Sequence, residues 1–241
     1  MFDNTLHKLR DESMNWSGNR LLRPEGFGVL SAEYTKDTHV CEHPSQAEYV
    51  YAAKTGELEV VRRCLDAGVD VDALMPCVQG DPKRCNYTAI AEAAKAGHLE
   101  VVKLILDRGG SPDATEGWPA VALACRRPYL NVIKELIDRG CDVNKTQQIG
   151  ETPLMHACTF GFVEAAKLLL DAGADIDVTA NQVGKTALSQ ALEFEWRQGE
   201  RSPIVDFILA GGARNCGWYE RLVEAVRPDL FADGLVIRRM S

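Results

Sequence analysis

Three groups of residues have types and spacings that could do chemistry. Gly184, Lys185 and Thr186 have the form of the end of a phosphate-binding loop, where backbone N–H groups cradle phosphates and a lysine reaches their oxygens. The first glycine of that motif would stand at 179, which is Thr179, so the loop is incomplete. His39, Cys41, Glu42 and His43 are candidate metal ligands that Cys77 and Cys85 could join, but no second half with paired-ligand spacing completes a zinc site. Nucleophilic or acid–base catalysis would draw on five histidines, His7, His39, His43, His98 and His156. His98 follows a turn glycine, and His156 holds a place that Glu92 and Gln190 hold in related segments, so no Ser-His-Asp or Cys-His set converges. The expectation is a non-enzyme with no cofactor and no metal.

The elements that carry these residues belong to a chain of 241 residues, 46% apolar, 26% charged and 7% aromatic, which is globular and long enough to bury a core. With 27 basic against 35 acidic residues the net charge is −8, which disfavours phosphate backbones and excludes nucleic acid as the expected partner. No run reaches the ~18 consecutive apolar residues of a membrane span. The opening MFDNTLHKLRDESMNW has acids and polar residues where a secretory h-region would lie, and eight cysteines are scattered singly without a CxxC pair. Free thiols, a cytoplasmic location and no membrane partner are expected. Cys64, Cys125, Cys141 and Cys158 fall at small or apolar packing positions.

The chain is internally repetitive. AEYVYAAKTGELEVVRRCLDAGVDVDA from Ala47 aligns with TAIAEAAKAGHLEVVKLILDRGGSPDA from Thr88, PAVALACRRPYLNVIKELIDRGCDVNK from Pro119 and TPLMHACTFGFVEAAKLLLDAGADIDV from Thr152; a looser copy starts at Thr186. Matching glycines at Gly68, Gly109, Gly140, Gly173 and Gly211 are spaced 41, 31, 33 and 38 apart. Each copy reads as a helix hairpin. Thr88, Thr152 and Thr186 are N-caps of a first helix built from small residues, a turn glycine follows, and Leu99, Val101, Val102, Ile105 and Leu106 show the spacing of a second, amphipathic helix. Gly109 can close that helix in a left-handed conformation. One hairpin has too little core to stand alone, so copies must stack into a solenoid.

The residues TPLMHACTFGFVEAAKLLLDAGADIDV, with their period near 33, resemble the ankyrin repeat, and the resemblance spans about residues 46 to 215. It implies an all-α ankyrin-repeat solenoid of stacked helix-turn-helix hairpins with β-turn fingers. Five repeats are expected at 46–74, 87–116, 118–149, 151–183 and 185–214, between an N-terminal cap or arm at 1–45 and a C-terminal capping helix and tail at 215–241. Insertions are expected as a longer finger loop near 75–86 and, at Glu195 to Ser202, as a longer turn between the last two helices. The signature histidine is replaced by Val50, Ala91, Ala122, Met155 and Ser189, so its bond to the capping threonine is not expected. Pro119 and Pro128 should make the third copy locally irregular.

In this family the finger tips and the exposed side of the inner helices line a concave groove. The resemblance therefore implies an aromatic row of Tyr87, Trp118, Phe160, Phe194 and Trp196, a basic track of Lys54, Lys95, Arg126 and Arg127, and Ile149 and Glu151 beside them as partner-binding residues. Exposed aromatic side chains are common interface anchors, and cations call for acidic groups opposite. Residues 117 to 150 carry five basic and three acidic residues. The function expected is a non-catalytic protein–protein interaction module, monomeric when free, acting as adaptor, regulator or inhibitor on a partner with an acidic contact patch. An alternative is an immunity- or antitoxin-type inhibitor whose acidic face, with one basic and five acidic residues over 151–183, blocks a basic target. Further rivals are a structural oligomer and an enzyme or metal-dependent regulator that uses the N-terminal arm.

Overall fold

A computed structural model describes residues 46–74, 87–114, 117–147, 149–180 and 184–213. The expected caps, the metal-ligand candidates of the N-terminal arm and the finger insertion lie outside the described residues. Five helix pairs follow one another: α1 Gln46–Thr55 with α2 Leu58–Asp66, α3 Ala89–Ala96 with α4 Leu99–Asp107, α5 Ala120–Ala124 with α6 Leu130–Asp138, α7 Pro153–Thr159 with α8 Val163–Asp171, and α9 Ala187–Gln198 with α10 Pro203–Ala210. None of these helices is long and apolar enough to cross a membrane.

The two helices of a pair do different jobs because their side chains differ in size. In α3 the residues Ala89, Ala91, Ala93 and Ala94 are all buried, and small side chains let first helices approach in register, α1 on α3, α3 on α5, α5 on α7 and α7 on α9. Second helices are amphipathic: Val101, Val102 and Ile105 of α4, or Val132, Ile133 and Leu136 of α6, face inward. They stack in the same order, and one contiguous core runs from Tyr49 to Ala213. Burying an aliphatic side chain is worth about 1.5–3 kcal/mol, and each hairpin gains much of this only against its neighbours.

Hydrogen bonds hold the register at both ends of the first helices. Thr88, Thr152 and Thr186 accept from the backbone N–H three residues on, which satisfies an orphan donor of the first turn. In the last repeat the residue in the histidine place restores a reciprocal bond: Ser189 Oγ accepts from Thr186 N–H at 2.8 Å, completing a capping box. The fingers are joined by a relay in which Asp72 accepts from Ser111 N–H at 3.1 Å, Asp113 from Asp142 N–H at 2.9 Å and Asn144 from Asp175 N–H at 2.8 Å.

Two expectations need adjustment. The left-handed glycine closing the fifth hairpin is Gly212, at φ 98°, whereas Gly211 is right-handed at φ −69°; the ring of glycines is displaced by one residue in that copy. The residues from Glu195 mostly lengthen α9, which runs to Gln198 and has 12 residues, before Gly199 turns the chain. The third copy is irregular as expected: α5 has only 5 residues, and its N-cap Pro119 has no side-chain oxygen to accept a bond.

Candidate functional site

A fixed spacing brings some of the residues expected to bind a partner together in pairs. The residue just before each capping position lies at the base of a finger, and the residue eight further on lies near the end of the first helix or just past it, so Tyr87 meets Lys95 and Trp118 meets Arg126. The Lys95 ammonium lies 5.0 Å from the centroid of the Tyr87 ring, and the Arg126 guanidinium 5.1 Å from that of Trp118. Such cation–π contacts contribute about 0.5–1 kcal/mol at exposed sites. The same spacing in the fourth repeat pairs Glu151 with Thr159, and there the character of the face changes.

The cations are not equivalent. Lys95 also pairs with the buried Glu92 carboxylate at 3.4 Å. Arg126 and Arg127 are exposed, and no ion pair to either is formed among the described residues. Lys54, in the first repeat, is also exposed, and its carbonyl lies 3.1 Å from His98 Nε2. Two other basic groups of the third repeat are occupied elsewhere, Arg139 by Asp107 and Glu135 and Lys145 by the Asp113 carbonyl, while Lys134 is exposed on α6. On the face that carries Trp118, the positive charge of that repeat is supplied by Arg126.

Trp118 stands between Arg126 and His156, its ring 5.0 Å from the imidazole at a tilt of 35°. His156 is 5% exposed, and its Nε2 is buried without a hydrogen-bond partner. Burial first, then the Arg126 and Lys185 charges, push its pKa down to about 4. The Glu151 carboxylate, 3.8 Å away, would favour the imidazolium, but burial and the two cations prevail and the ring is neutral near pH 7. Glu151 itself is shared between Lys185 at 3.4 Å and the amide of Gln147. Gln190, the counterpart of His156 on α9, is 3% exposed; Thr159 Oγ lies 2.8 Å from its Oε1, while its Nε2 has no partner.

The aromatic row is divided rather than continuous. Tyr87 and Trp118 are half-buried beneath their cations, and Phe160 stacks on Phe162 with centroids 6.0 Å apart. Phe194 lies over the turn glycine Gly161 and packs against the core. That is the place His98 takes over Gly56 and Tyr129 over Gly97, so Phe194 works in the stacking of the last two repeats. Trp196 is half-buried farther along α9, and Ile149 is 47% exposed on the fourth finger.

Sequence reasoning did not select His156, Gln190, Glu92 and Thr159. A signal existed: four residues after the capping position, on first helices otherwise small and apolar, the copies place Tyr51, Glu92, Leu123, His156 and Gln190. Polar residues recurring there mark one strip of the helix stack. Among the described residues no group of three or more His, Cys, Asp or Glu is arranged to hold a metal ion. The face offers cations on aromatic rings, one shared carboxylate and two buried neutral polar groups, a set suited to recognition.

The family model for ankyrin repeats (3 copies) matches residues 49–147 and 121–216 of the chain. No curated protein matches it.

Proposed function

The chain belongs to the ankyrin-repeat family, whose repeats mediate protein–protein interaction, and from that premise we propose that it is a non-catalytic adaptor, regulator or inhibitor that grips an acidic partner in its concave groove. The observation that carries this reading is Arg126 lying on the Trp118 ring, exposed and with no acidic side chain paired to it among the described residues. A guanidinium resting against an indole loses less freedom when it pairs with a carboxylate, and it presents a forked donor set. Lys95 on Tyr87 repeats the cation–ring contact in the second repeat, although Lys95 also pairs with Glu92. Tyr87 and Trp118 add apolar area that a partner can cover.

The partner proteins retained by the wild-type chain are compared with those retained by R126E/R127E and by D171N/D175N/D177N. Loss of a partner with the first variant and retention with the second supports the groove. Loss only with the second refutes it in favour of an acidic face blocking a basic target.

A further inference from the structure

We propose that Ser111 is a phosphorylation site for a proline-directed serine/threonine kinase, and that its phosphate loosens the bond by which Asp72 joins the first finger to the second. Three serine or threonine residues stand before a proline, in Ser111-Pro112, Thr152-Pro153 and Ser202-Pro203. In the last two the hydroxyl residue is a buried helix N-cap and the proline is the first helical residue, where a missing N–H costs nothing. Those two dipeptides are accounted for by the starts of α7 and α10. Ser111 instead lies exposed on a turn of the second finger, and Pro112 begins no helix. Its hydroxyl oxygen accepts from Asp113 N–H at 3.2 Å and donates to no described residue.

The repeats make room for an anion at this place. Two residues after the glycine that closes each second helix, the fingers carry Asp70, Ser111, Asp142 and Asp175, all exposed. Asp70 accepts from Asp72 N–H at 3.1 Å, Asp142 from Asn144 N–H at 2.9 Å and Asp175 from Asp177 N–H at 3.0 Å, the same bond that Ser111 forms with Asp113. Three fingers thus hold a carboxylate where the second holds a hydroxyl, and a phosphate on Ser111 keeps acceptor oxygens against that N–H. In the transfer Ser111 Oγ attacks the γ-phosphorus of ATP while the kinase's catalytic aspartate takes the hydroxyl proton. The new O–P ester bond forms as the bond between the β- and γ-phosphates breaks, and ADP leaves. Straightening the turn for the kinase opens surface hydrogen bonds of one finger, whereas reaching Thr152 or Ser202 unwinds a helix start from the core.

The neighbours of Ser111 set the consequence. Its N–H donates to both oxygens of Asp72, at 3.1 and 3.3 Å, across 39 residues of chain, and this is the first step of the finger relay. Phosphorylation brings a charge of about −1.5 to −2 to that carboxylate. Burial pushes the Asp72 pKa up, the Ser111 N–H draws it back and Asp70 pushes it up again, so the ionised carboxylate depends on the bond that the phosphate disturbs. Nearby cations are already engaged, Arg108 with Asp66 at 2.7 Å and Lys145 with the Asp113 carbonyl at 2.6 Å.

The test incubates the full chain with ATP and a purified proline-directed kinase and maps phosphate by mass spectrometry. One phosphate on Ser111 is expected, and none on S111A. No incorporation overturns the site, and so does phosphate on Thr152 or Ser202, because it means that the kinase acts on unfolded chain. The phosphorylated and unmodified proteins are then compared by amide hydrogen exchange, read by NMR, and by thermal melting. Exchange at the Ser111 amide should rise at least tenfold and the midpoint should fall by about 2–4 °C. In D72N, a change for which Asn144 is the precedent at the matching place, the phosphate should shift the midpoint by less than half as much. Unaltered exchange at Ser111, a raised midpoint or an equal shift in D72N overturns the coupling to Asp72.

Discussion

A methyl group added at Gly161 tests whether Phe194 belongs to the repeat stack. Gly161 sits at φ 71°, and a Cβ there would overlap the Phe194 ring; Gly109, at φ 87°, has nothing within 4 Å of its Cβ position. Both alanine variants incur the left-handed conformation, at about 1 kcal/mol each. Only G161A must also displace Phe194 from the core edge, and losing part of the burial of a phenylalanine adds about 1–2 kcal/mol. The expected losses are about 1 kcal/mol for G109A and about 2–3 kcal/mol for G161A. Urea unfolding followed by far-UV circular dichroism reads this directly, with midpoints compared because repeat arrays can depart from two-state behaviour. In an F194A background the excess cost of G161A should vanish, since the ring it strikes is gone. Equal losses for G161A and G109A, or an excess that survives F194A, would refute the packing role given to Phe194.

Burial holds the His156 pKa at about 4 against an ordinary 6.5, so the unfolded chain takes up a proton first as pH falls. The stability of wild type relative to H156Q should therefore drop by about 3 kcal/mol between pH 7 and pH 4, measured by urea titration at each pH. T186A removes a buried hydroxyl from the capping box with Ser189 and should cost about 1–2 kcal/mol, whereas T55A on an exposed helix end should change the urea midpoint little. Cys125 and Cys158 are fully buried thiols whose pKa is pushed well up by desolvation. Iodoacetamide at pH 8 should leave both unmodified in the native protein and alkylate them once it is unfolded, as mapped by mass spectrometry.

Repetition made the fold legible before any coordinates. A helix hairpin is a local object: Thr88 caps it, Gly97 turns it and the spacing of Leu99 to Leu106 gives the second helix its face, all within about twenty residues. Five copies of one such object have few ways to bury their faces other than on one another, so α-helical class, helix order and the sides of the helices followed from pattern. Pattern also picked out Tyr87, Trp118, Lys95 and Arg126 as groove residues, but that each cation rests on a ring appeared only in the structure. It misplaced Gly211 and the residues after Glu195, where the last copy departs from the period and nothing local marks the change in register.

Which of those side chains remain available was decided only in three dimensions, because availability depends on neighbours from other repeats. Arg139 and Arg126 are alike in sequence, yet Asp107 of the preceding repeat takes Arg139 while Arg126 rests on an indole. Phe160 and Phe194 look equivalent in the aligned copies, but a turn glycine 33 residues earlier receives Phe194. His156 reads as an ordinary helix residue until Trp118, Glu151, Arg126 and Lys185 close around it and strip its water. Periodicity dictates backbone and stacking because these rest on short-range patterns repeated, whereas charge pairing and desolvation are sums over groups far apart in the chain.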